Sequence, residues 1–361
     1  MNSQLQKMKT KKPRVLDIFC GAGGFSEGFR QAGFEIAAGI DNDPQALETY
    51  GQNFGSKKAV LCDLGRVKTL INSDVGEQLF KNIRVIIGGP PCQGFSIAGK
   101  RKDGDPRNKL YRAYFDLIKK IRPKVVVIEN VPTMRTLFDG RYFSMMTKEL
   151  QECGFNVYHA VLTADKHGIP QKRKRIFVVG TRGCKKHFSF PIPSDENTTS
   201  CEDAISDLPL LENESGGDVA SYVKPPKTTY QKMVRNGCNR LTNHWAVMHT
   251  EKTKNIISMV PDGGNYKFLP RNLWLTRKVN IAWTRMHSKS PCFTIDAGHN
   301  HHFHYKANRV PTVRECARIQ SFPDHFIFLG NKTSQFRQVG NAVPPLLAKL
   351  IAEKVRIVLD E

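Results

Sequence analysis

Short apolar runs alternate with longer amphipathic stretches through the first half of the chain. Runs that are apolar throughout are typical of parallel strands buried on both faces, and the stretches between them have helical periodicity. Strands that alternate with helices predict a doubly wound, mostly parallel α/β sheet. The predicted strands cover residues 14–19, 34–40, 58–62, 85–87, 125–128, 155–164 and 176–180. Later helices are predicted at 110–121, at 250–259, at 311–319 and in a final helix that 338–345 opens and that continues to 358.

The pattern changes after residue 181. From about residue 184 the chain becomes rich in Pro, Asn, Ser and Gly and has few apolar periods. This change in composition predicts a smaller, irregular domain inserted into the α/β domain. The predicted α/β domain consists of residues 1–184 and 290–361, and the inserted domain covers 185–289.

A glycine-rich turn, C-G-A-G-G at 20–24, follows the first predicted strand and opens a helix. It lacks the third glycine of the dinucleotide fingerprint G-x-G-x-x-G, because Ser26 stands there. Asp41 follows the second strand and Asp63 the third, and the carboxyl ends of parallel strands meet at one edge of a sheet. Acids beside a glycine turn suit a nucleoside that carries no pyrophosphate. As helix caps, the two acids would have a purely structural role.

The fourth predicted strand is stopped by Gly88-Gly89-Pro90-Pro91, and Cys92 comes next. A thiol just beyond the carboxyl end of a central strand lies where open α/β sheets bind their ligands. Cys92 is therefore a candidate nucleophile. The polar, basic stretch 98–108 that follows is predicted to be a lid over the site rather than a solvated connector.

A glutamate, Glu129, ends the fifth predicted strand. Burial there would raise its pKa and let it act as an acid near neutral pH, whereas a glutamate in a solvated loop would not. The segment 171–175 (Q-K-R-K-R) enters a later strand. Alternation along that strand places Gln171, Arg173 and Arg175 on one face and the two lysines on the other.

The charge of the chain favours a polyanionic partner. Its 361 residues include 55 Lys and Arg against 33 Asp and Glu, for a formal net charge of +22. Nucleic acid fits this excess better than acidic membrane lipid does. No apolar stretch approaches the length of a membrane span, and residues 1–12 are polar and basic without the apolar core of a signal peptide. We expect a cytoplasmic, nucleoid-associated protein.

The cysteines and histidines do not predict a metal site. The nine cysteines are scattered without a C-x-x-C pair, which argues against a zinc ribbon and against a disulfide framework. The cluster His299, His301, His302 and His304 has no acid or cysteine at ligand spacing.

Taken together, these segments resemble the DNA cytosine-C5 methyltransferases, and in particular the bacterial restriction–modification enzymes. The resemblance covers all of the chain except about 184–289, where such enzymes carry a variable target-recognition domain. It rests on segments that occur in the family's order: D-I-F-C-G-A-G-G-F-S (17–26), G-G-P-P-C-Q-G-F-S (88–96), E-N-V (129–131), Q-K-R-K-R (171–175), R-E-C-A-R-I-Q-S-F-P-D (314–324) and Q-V-G-N-A-V-P-P (338–345).

The resemblance implies a Rossmann-like methyltransferase fold with S-adenosylmethionine as cofactor. Asp41 would bind the ribose, Asp63 would bind the adenine amino group, and Asn341 would close the pocket. Asn42 stands where many family members carry an aromatic or bulky apolar residue. The other positions implied to line the cofactor are Phe19, Gly21, Gly23, Gly24, Leu64, Pro90, Ala342 and Val343.

The resemblance also implies the reaction. The Cys92 thiolate would add to carbon-6 of a cytosine flipped out of double-stranded DNA, which activates carbon-5 to accept a methyl group. Glu129 in its acid form would donate to ring nitrogen-3, Arg175 would hydrogen-bond the ring oxygen, and Arg173 would help position the site. This chemistry needs no metal. The residues expected to contact DNA are Ser96, Lys100, Arg101, Arg107, Arg240, Asn243, His244 and Arg271.

Three alternatives compete with this interpretation. The tRNA-methylating branch of the family carries a C-F-T tripeptide, which 292–294 match, but 90–96 and D-P-R-N at 105–108 resemble the DNA enzymes. A catalytically silent DNA-binding regulator on the same fold would have lost the nucleophile or the acid, and both are present. A nicotinamide-dependent dehydrogenase is disfavoured by Ser26. We expect a monomer paired in function with a restriction endonuclease, while the target sequence is not readable from the irregular segment.

Overall fold

The computed structural model describes residues 12–360 apart from 91–105, 137–138, 195–197, 213–215, 275, 277–282 and 298–301, and at 66, 106–109, 216 and 218 it describes the main chain only. Within that part of the chain, one large sheet forms the centre of the molecule. Its strands are β1 (Arg14–Ile18), β2 (Glu35–Asp41), β3 (Ala59–Leu61), β4 (Ile83–Gly88), β5 (Val125–Asn130), β6 (Asn156–Thr163) and β7 (Lys174–Thr181).

The strand order is β3-β2-β1-β4-β5-β7-β6. Strands β1 to β5 are parallel, and β7 runs antiparallel to both β5 and β6. The direction in which successive strands are added reverses beside β1, so the carboxyl ends of β1 and β4 border the crevice in which open α/β sheets bind ligands. The predicted doubly wound, mostly parallel sheet is confirmed.

Helices cover both faces of the sheet because β4 and β5 are apolar on both faces. One core packs Phe29 and Leu347 against Val85 and Val127, and the other packs Tyr114 against the opposite face. The helices are α1 (Gly24–Gln31), α2 (Pro44–Phe54), α3 (Val67–Ile71), α4 (Asp74–Phe80), α5 (Pro106–Ile121), α6 (Arg141–Glu152), α7 (Cys201–Ile205), α8 (Thr229–Arg235), α9 (Glu251–Ser258), α10 (Val313–Ile319), α11 (Lys332–Asn341) and α12 (Pro345–Leu359). No described helix is long and apolar enough to cross a membrane.

The described part of 185–289 is built from short elements. Two strands, β8 (Gly216–Ala220) and β9 (Leu241–Trp245), form a small antiparallel sheet, and β9 packs on α10. A third apolar core joins Ile205 and Leu241 of this region to Cys316 and Phe322. The region therefore packs closely on α10, while its predicted boundary at residue 290 stays a prediction.

The carboxyl-terminal helix differs from the prediction. Residues 338–341 do not open the final helix, because they are the last residues of a separate helix, α11. Ala342 is extended, with φ −66° and ψ 148°, and α12 begins only at Pro345. The residue before a proline is disfavoured in helical conformation, while proline itself suits the first helical turn. The pair Pro344-Pro345 therefore separates two helices.

Candidate active site

The glycine turn after β1 folds back onto β2. Phe19 and Gly21 both have left-handed backbone conformations, with φ of 61° and 52°, which explains why β1 ends at Ile18 rather than at Phe19. The main-chain N–H groups of Phe19 and Cys20 donate to the carbonyl of Ile40 at 2.9 and 3.2 Å. A side chain on Gly21 would project into open space within the described structure. The turn therefore leaves a cradle above its backbone.

Asp41 ties the end of β2 to this turn. Its Oδ2 accepts a hydrogen bond from the N–H of Gly21 at 2.8 Å, and its Oδ1 accepts from Asn42 and Asp43 at 2.8 and 3.0 Å. Asp43, rather than Asp41, caps α2. The half-buried Asp41 carboxylate is thus fixed beside the cradle, and Oδ2 retains a lone pair for a further donor. Asn42 is exposed next to it.

Asp63 lies at the end of β3 and caps a short 3-10 helix, Leu64–Arg66. Its Oδ1 accepts a hydrogen bond from the N–H of Gly65 at 2.9 Å. Asp63 is exposed, and Leu64 beside it is buried. The helix-cap alternative therefore describes Asp63, although the cap occupies only one of its two carboxylate oxygens.

The segment 341–343 closes over the start of α1. Asn341 is exposed, whereas Ala342 and Val343 are buried. A Cβ on Gly24 would lie only 2.4 Å from the carbonyl oxygen of Val343, so the backbones of the two segments are in direct contact there. A Cβ on the nearby Gly23 would lie 2.5 Å from the ring of Phe54. The first and last motifs are thus in direct contact at Gly24 and Val343.

Glu129 and Arg175 form an ion pair at the carboxyl edge of the sheet. Because β7 is antiparallel to β5, its first residues lie beside the end of β5. Arg175 Nε lies 2.8 Å from Glu129 Oε1, and Glu129 is 8% exposed. Burial raises the pKa of Glu129 above its usual value, although the charges of Arg175 and Arg173 oppose this. The burial expected for Glu129 is confirmed.

Arg173 is the most deeply buried cation of this group. It is 2% exposed, and its Nε has no hydrogen-bond partner among the described residues. Burial and the charge of Arg175 lower the pKa of Arg173 to about 9, although Glu129 opposes this. Lys172 and Lys174 are exposed, which confirms the predicted alternation in segment 171–175. We call this segment with its two arginines the arginine strand.

The end of β4 is fixed next to Glu129. Asn130 Nδ2 donates to the carbonyl oxygen of Pro90 at 2.8 Å. A Cβ on Gly89 would lie 3.2 Å from Glu129 Oε2, so a glycine leaves the second carboxylate oxygen accessible from this side. Sequence reasoning did not select Asn130, and its place inside the E-N-V segment was the available signal.

Several predicted residues lie outside the described structure. They are Cys92, Ser96, Lys100 and Arg101, together with the side chain of Arg107 and the histidines His299 and His301. His302 and His304 are buried. The described residues contain no group of three or more His, Cys, Asp or Glu side chains that could hold a metal ion.

The four predicted DNA contacts of the inserted region fall into two pairs. Arg240 and Arg271 are exposed. Asn243 is 7% exposed and bonds both main-chain groups of Phe328, while His244 is 1% exposed. The two ring nitrogens of His244 are engaged by Thr312 Oγ1 and the carbonyl of Pro209 at 3.0 and 2.8 Å. These contacts correct the expectation for Asn243 and His244, because their polar atoms bind the protein interior.

Comparisons with known proteins agree with this geometry. A family model described as C-5 cytosine-specific DNA methylase matches residues 13–356. The type II methyltransferase M.DdeI of Desulfomicrobium norvegicum is 35% identical over 369 residues, which cover 94% of this chain and 88% of the relative. M1.HphI of Haemophilus parahaemolyticus is 36% identical over 344 residues, which cover 94% and 86%.

Solved structures share the fold. A prophage-encoded DNA modification methyltransferase of E. coli superposes with a TM-score of 0.79 at 26% identity, covering 97% of this chain and 100% of the other. The Dnmt2 methyltransferase of S. pombe superposes with a TM-score of 0.60 at 18% identity, covering 97% and 99%. At that lower identity, only the fold is shown to be shared.

Proposed function

The chain belongs to the C-5 cytosine-specific DNA methylase family and is a DNA cytosine-5-methyltransferase of the type II restriction–modification kind. From this premise we propose that its site residues hold S-adenosylmethionine on one side of a cleft and the target cytosine on the other. The observation that carries the proposal is the buried ion pair of Glu129 and Arg175 at 2.8 Å. This pair places a carboxyl of raised pKa and a guanidinium together at the ligand edge of the sheet.

The residues on the β1 side of the cleft fit the proposed cofactor. Among the described residues, none fills the cradle above Gly21, and Asp41 is held beside it by three backbone N–H groups. Asp41 would accept a hydrogen bond from a ribose hydroxyl, and Asp63 would accept one from the adenine amino group. Asn341 would close the pocket. When bound, the cofactor supplies an electrophilic methyl group. The other residues proposed to line it are Phe19, Gly23, Gly24, Asn42, Leu64, Pro90, Ala342 and Val343.

The residues on the β5 side would activate the cytosine ring. The Cys92 thiolate would form a bond to carbon-6, and a proton from the Glu129 carboxyl would go to nitrogen-3, which neutralises the developing negative charge. Arg175 would donate to the ring oxygen, with Arg173 behind it. Once carbon-5 is methylated, its proton would pass to solvent, the bond between carbon-6 and sulfur would break with expulsion of the thiolate, and nitrogen-3 would return its proton to Glu129, which restores the ring. The bond from Asn130 to Pro90 supports this role, because it fixes the chain just before Cys92 beside Glu129.

The remaining proposals concern the substrate. The net charge of +22 and the exposed Arg240 and Arg271 support binding of double-stranded DNA, with residues 185–289 acting as the target-recognition domain. The target base would be flipped out, and Ser96, Lys100, Arg101 and Arg107 would contact the DNA around it. We further propose a monomer that works with a restriction endonuclease on DNA of the nucleoid.

Trapping the covalent adduct tests these roles. Methyl-labelled S-adenosylmethionine is first incubated separately with plasmid DNA and with total tRNA, and the labelled cytosines are mapped. A duplex with 5-fluorocytosine at the mapped position should then trap the wild-type protein, because fluorine cannot leave as a proton. Cys92→Ala should form no adduct, and Glu129→Gln should form it about 100-fold more slowly or worse, with DNA affinity within about threefold of wild type.

Three outcomes would contradict the assignments. Label in tRNA alone would favour the tRNA alternative. An adduct with Cys92→Ala would remove Cys92 from the role of nucleophile. Equal losses of trapping rate and DNA affinity in Glu129→Gln would make Glu129 a structural residue.

A further inference from the structure

Two glutamines that are fully buried link the arginine strand to the segment 341–343. Gln171 precedes Arg173 on the arginine strand, and Gln320 follows α10. Both side chains are 0% exposed. Gln171 Nε2 donates a hydrogen bond to Gln320 Oε1, and we call this linked pair the glutamine bridge.

The glutamine bridge reaches the segment 341–343 at its far end. Gln320 Nε2 donates to the carbonyl oxygen of Ala342 at 2.6 Å. Ala342 adjoins Asn341 on one side and, on the other, Val343, whose carbonyl touches the start of α1. A continuous path of hydrogen bonds therefore runs from the arginine strand to the residues proposed to close over the cofactor.

A second path leaves the other end of the Gln171 amide. Gln171 Oε1 accepts from the N–H of Ile295 at 3.0 Å. The residues that follow Ile295 support α11, because a Cβ on Gly340 would lie 2.5 Å from the carbonyl oxygen of Asp296. Both polar atoms of the Gln171 amide thus lead, by different routes, to the stretch 340–342.

Removing the side-chain amide of either glutamine would leave the buried polar atoms that it bonds without partners. When a buried donor or acceptor loses its partner, the folded state is destabilised by the full desolvation penalty of that group. The hydrogen bonds of such a pair therefore hold the two segments that carry them in one relative position. The interior offers these amides no solvent as a substitute. The spacing between the arginine strand and Ala342 is therefore fixed by the glutamine bridge.

We propose that Gln171 and Gln320 are positioning residues that couple closure of the cofactor pocket to placement of Arg173 and Arg175 against the target base. Neither glutamine is assigned a contact with the cofactor or the base. The inference rests on the proposed roles of the arginines and of the segment 341–343. Because coupling between two sites is reciprocal for binding free energies, placement of the target base should strengthen cofactor binding by the same factor by which the cofactor strengthens binding of the base.

The test measures binding of S-adenosylhomocysteine to the full chain without DNA, by isothermal titration calorimetry. Gln320→Met should raise its Kd about fivefold or more, since the Ala342 carbonyl loses its donor. Gln171→Met, although remote from the pocket, should raise Kd about threefold or more. Gln231→Met is the matched control, because Gln231 is also a 0% exposed, hydrogen-bonded glutamine, but it lies in α8. It should leave Kd unchanged.

A double-mutant cycle distinguishes coupling from general weakening. In the Gln320→Met background, Gln171→Met should raise Kd by a smaller factor than it does in the wild-type background, because only the path through Ile295 is left to break. Gln171→Met should also lower kcat about tenfold or more while KM for DNA changes less than about twofold. If Gln320→Met does not fold, Gln171→Met is compared with Gln231→Met without the cycle, and equal Kd values for these two variants would overturn the inference.

Three results would overturn the inference. Independent, additive effects on Kd in the cycle would show that the two glutamines do not act through each other. An equal effect of Gln231→Met would show that loss of any buried glutamine weakens the pocket. Variants that bind as wild type does would overturn this inference alone, whereas a wild-type protein that binds no S-adenosylhomocysteine would overturn the proposed cofactor as well.

Discussion

At the scale of single residues, the acid of β1, Asp17, is buried in the interior. It is 1% exposed beneath the glycine turn, and its Oδ2 accepts from Ser26 Oγ at 2.7 Å. Ser26 Oγ also lies 2.8 Å from the hydroxyl of Tyr50. Burial raises the pKa of Asp17 from its ordinary 3.8 to about 7, with a smaller contribution from the charge of Asp41 in the same direction. The folded protein therefore holds a proton that the unfolded chain releases.

This proton predicts how stability depends on pH. Between the unfolded and folded pKa values of Asp17, the unfolded state binds fewer protons, so the free energy of unfolding falls as pH rises towards 7. Asp17→Asn cannot ionise. Relative to wild type, we expect this variant to gain roughly 2–3 kcal/mol between about pH 5 and pH 8, measured by urea unfolding at each pH. A difference that stays constant over this range would contradict the assigned shift.

Single residues also show where sequence reasoning succeeds. Asp41 and Glu129 could be selected because each follows an apolar strand, and parallel strands bring such positions to one edge. Asn243 and His244 were selected for their side-chain chemistry alone. Their partners, Phe328 and Thr312, lie far along the chain, so no local pattern could indicate that both side chains are buried.

At the scale of elements, the contact between α1 and α12 depends on a glycine. A Cβ on Gly28 would lie 2.4 Å from the Cβ of Ala348 and 2.5 Å from the carbonyl oxygen of Pro345. Main-chain atoms of a packed helix cannot yield as the end of a flexible side chain can. The two helices therefore approach as closely as they do only because one side chain is missing.

Gly28→Ala should separate these helices. Alanine favours a helix by about 1 kcal/mol over glycine, but the overlap with α12 should outweigh this gain and destabilise the protein by roughly 1–3 kcal/mol. Gly51→Ala is the matched control in α2, where the nearest atom to the new Cβ would be 3.3 Å away. Chemical denaturation should show a loss for the first variant and little change for the second. Equal effects of both would contradict the packing argument.

The predicted bounds of helices and strands agree with the structure only where the local sequence pattern determines them. Most strands lie within a residue or two of their predicted ends, because their apolar runs fill a buried sheet. Helix α11 was missed although it covers Lys332–Asn341. It has few apolar residues, and its buried side, which includes Phe336, Gln338 and Gly340, contains a polar residue and a glycine. Gln338 is buried because it bonds Thr49 Oγ1 at 2.7 Å, a contact that only the tertiary fold supplies.

At the scale of the whole molecule, buried charges join the segment 185–289 to α10. The guanidinium of Arg318 in α10 contacts the carboxylates of Asp207 and Asp324, and all three side chains are 0% exposed. The charge of Asp324 and its hydrogen bonds raise the pKa of Arg318 against the effect of burial. Removing one member of such a network leaves an uncompensated buried charge. The segment 185–289 is therefore held to α10 by an ion pair, and loss of either partner would strongly destabilise the folded protein.

Contacts between exposed cations and DNA phosphates set the salt dependence of DNA binding by the whole molecule. Each phosphate neutralised by a cation releases counterions, so the logarithm of the binding constant falls linearly with the logarithm of salt concentration. If Arg240 and Arg271 each contact a phosphate, replacing either with alanine should make that slope less negative by about 1. The affinity for S-adenosylhomocysteine should not change, because both residues lie outside the glycine turn and segment 341–343.

Lys57→Ala provides the control for that measurement. Lys57 is exposed and lies two residues before the start of β3, so it is at the amino edge of the sheet, away from the ligand edge. It contributes the same single charge to the total of +22. If binding depended only on net charge, all three variants would change the slope equally, and the proposed contacts would be wrong. If the inserted region presents its arginines to the phosphates, only Arg240→Ala and Arg271→Ala reduce the slope by about 1, because counterion release counts contacts and not total charge.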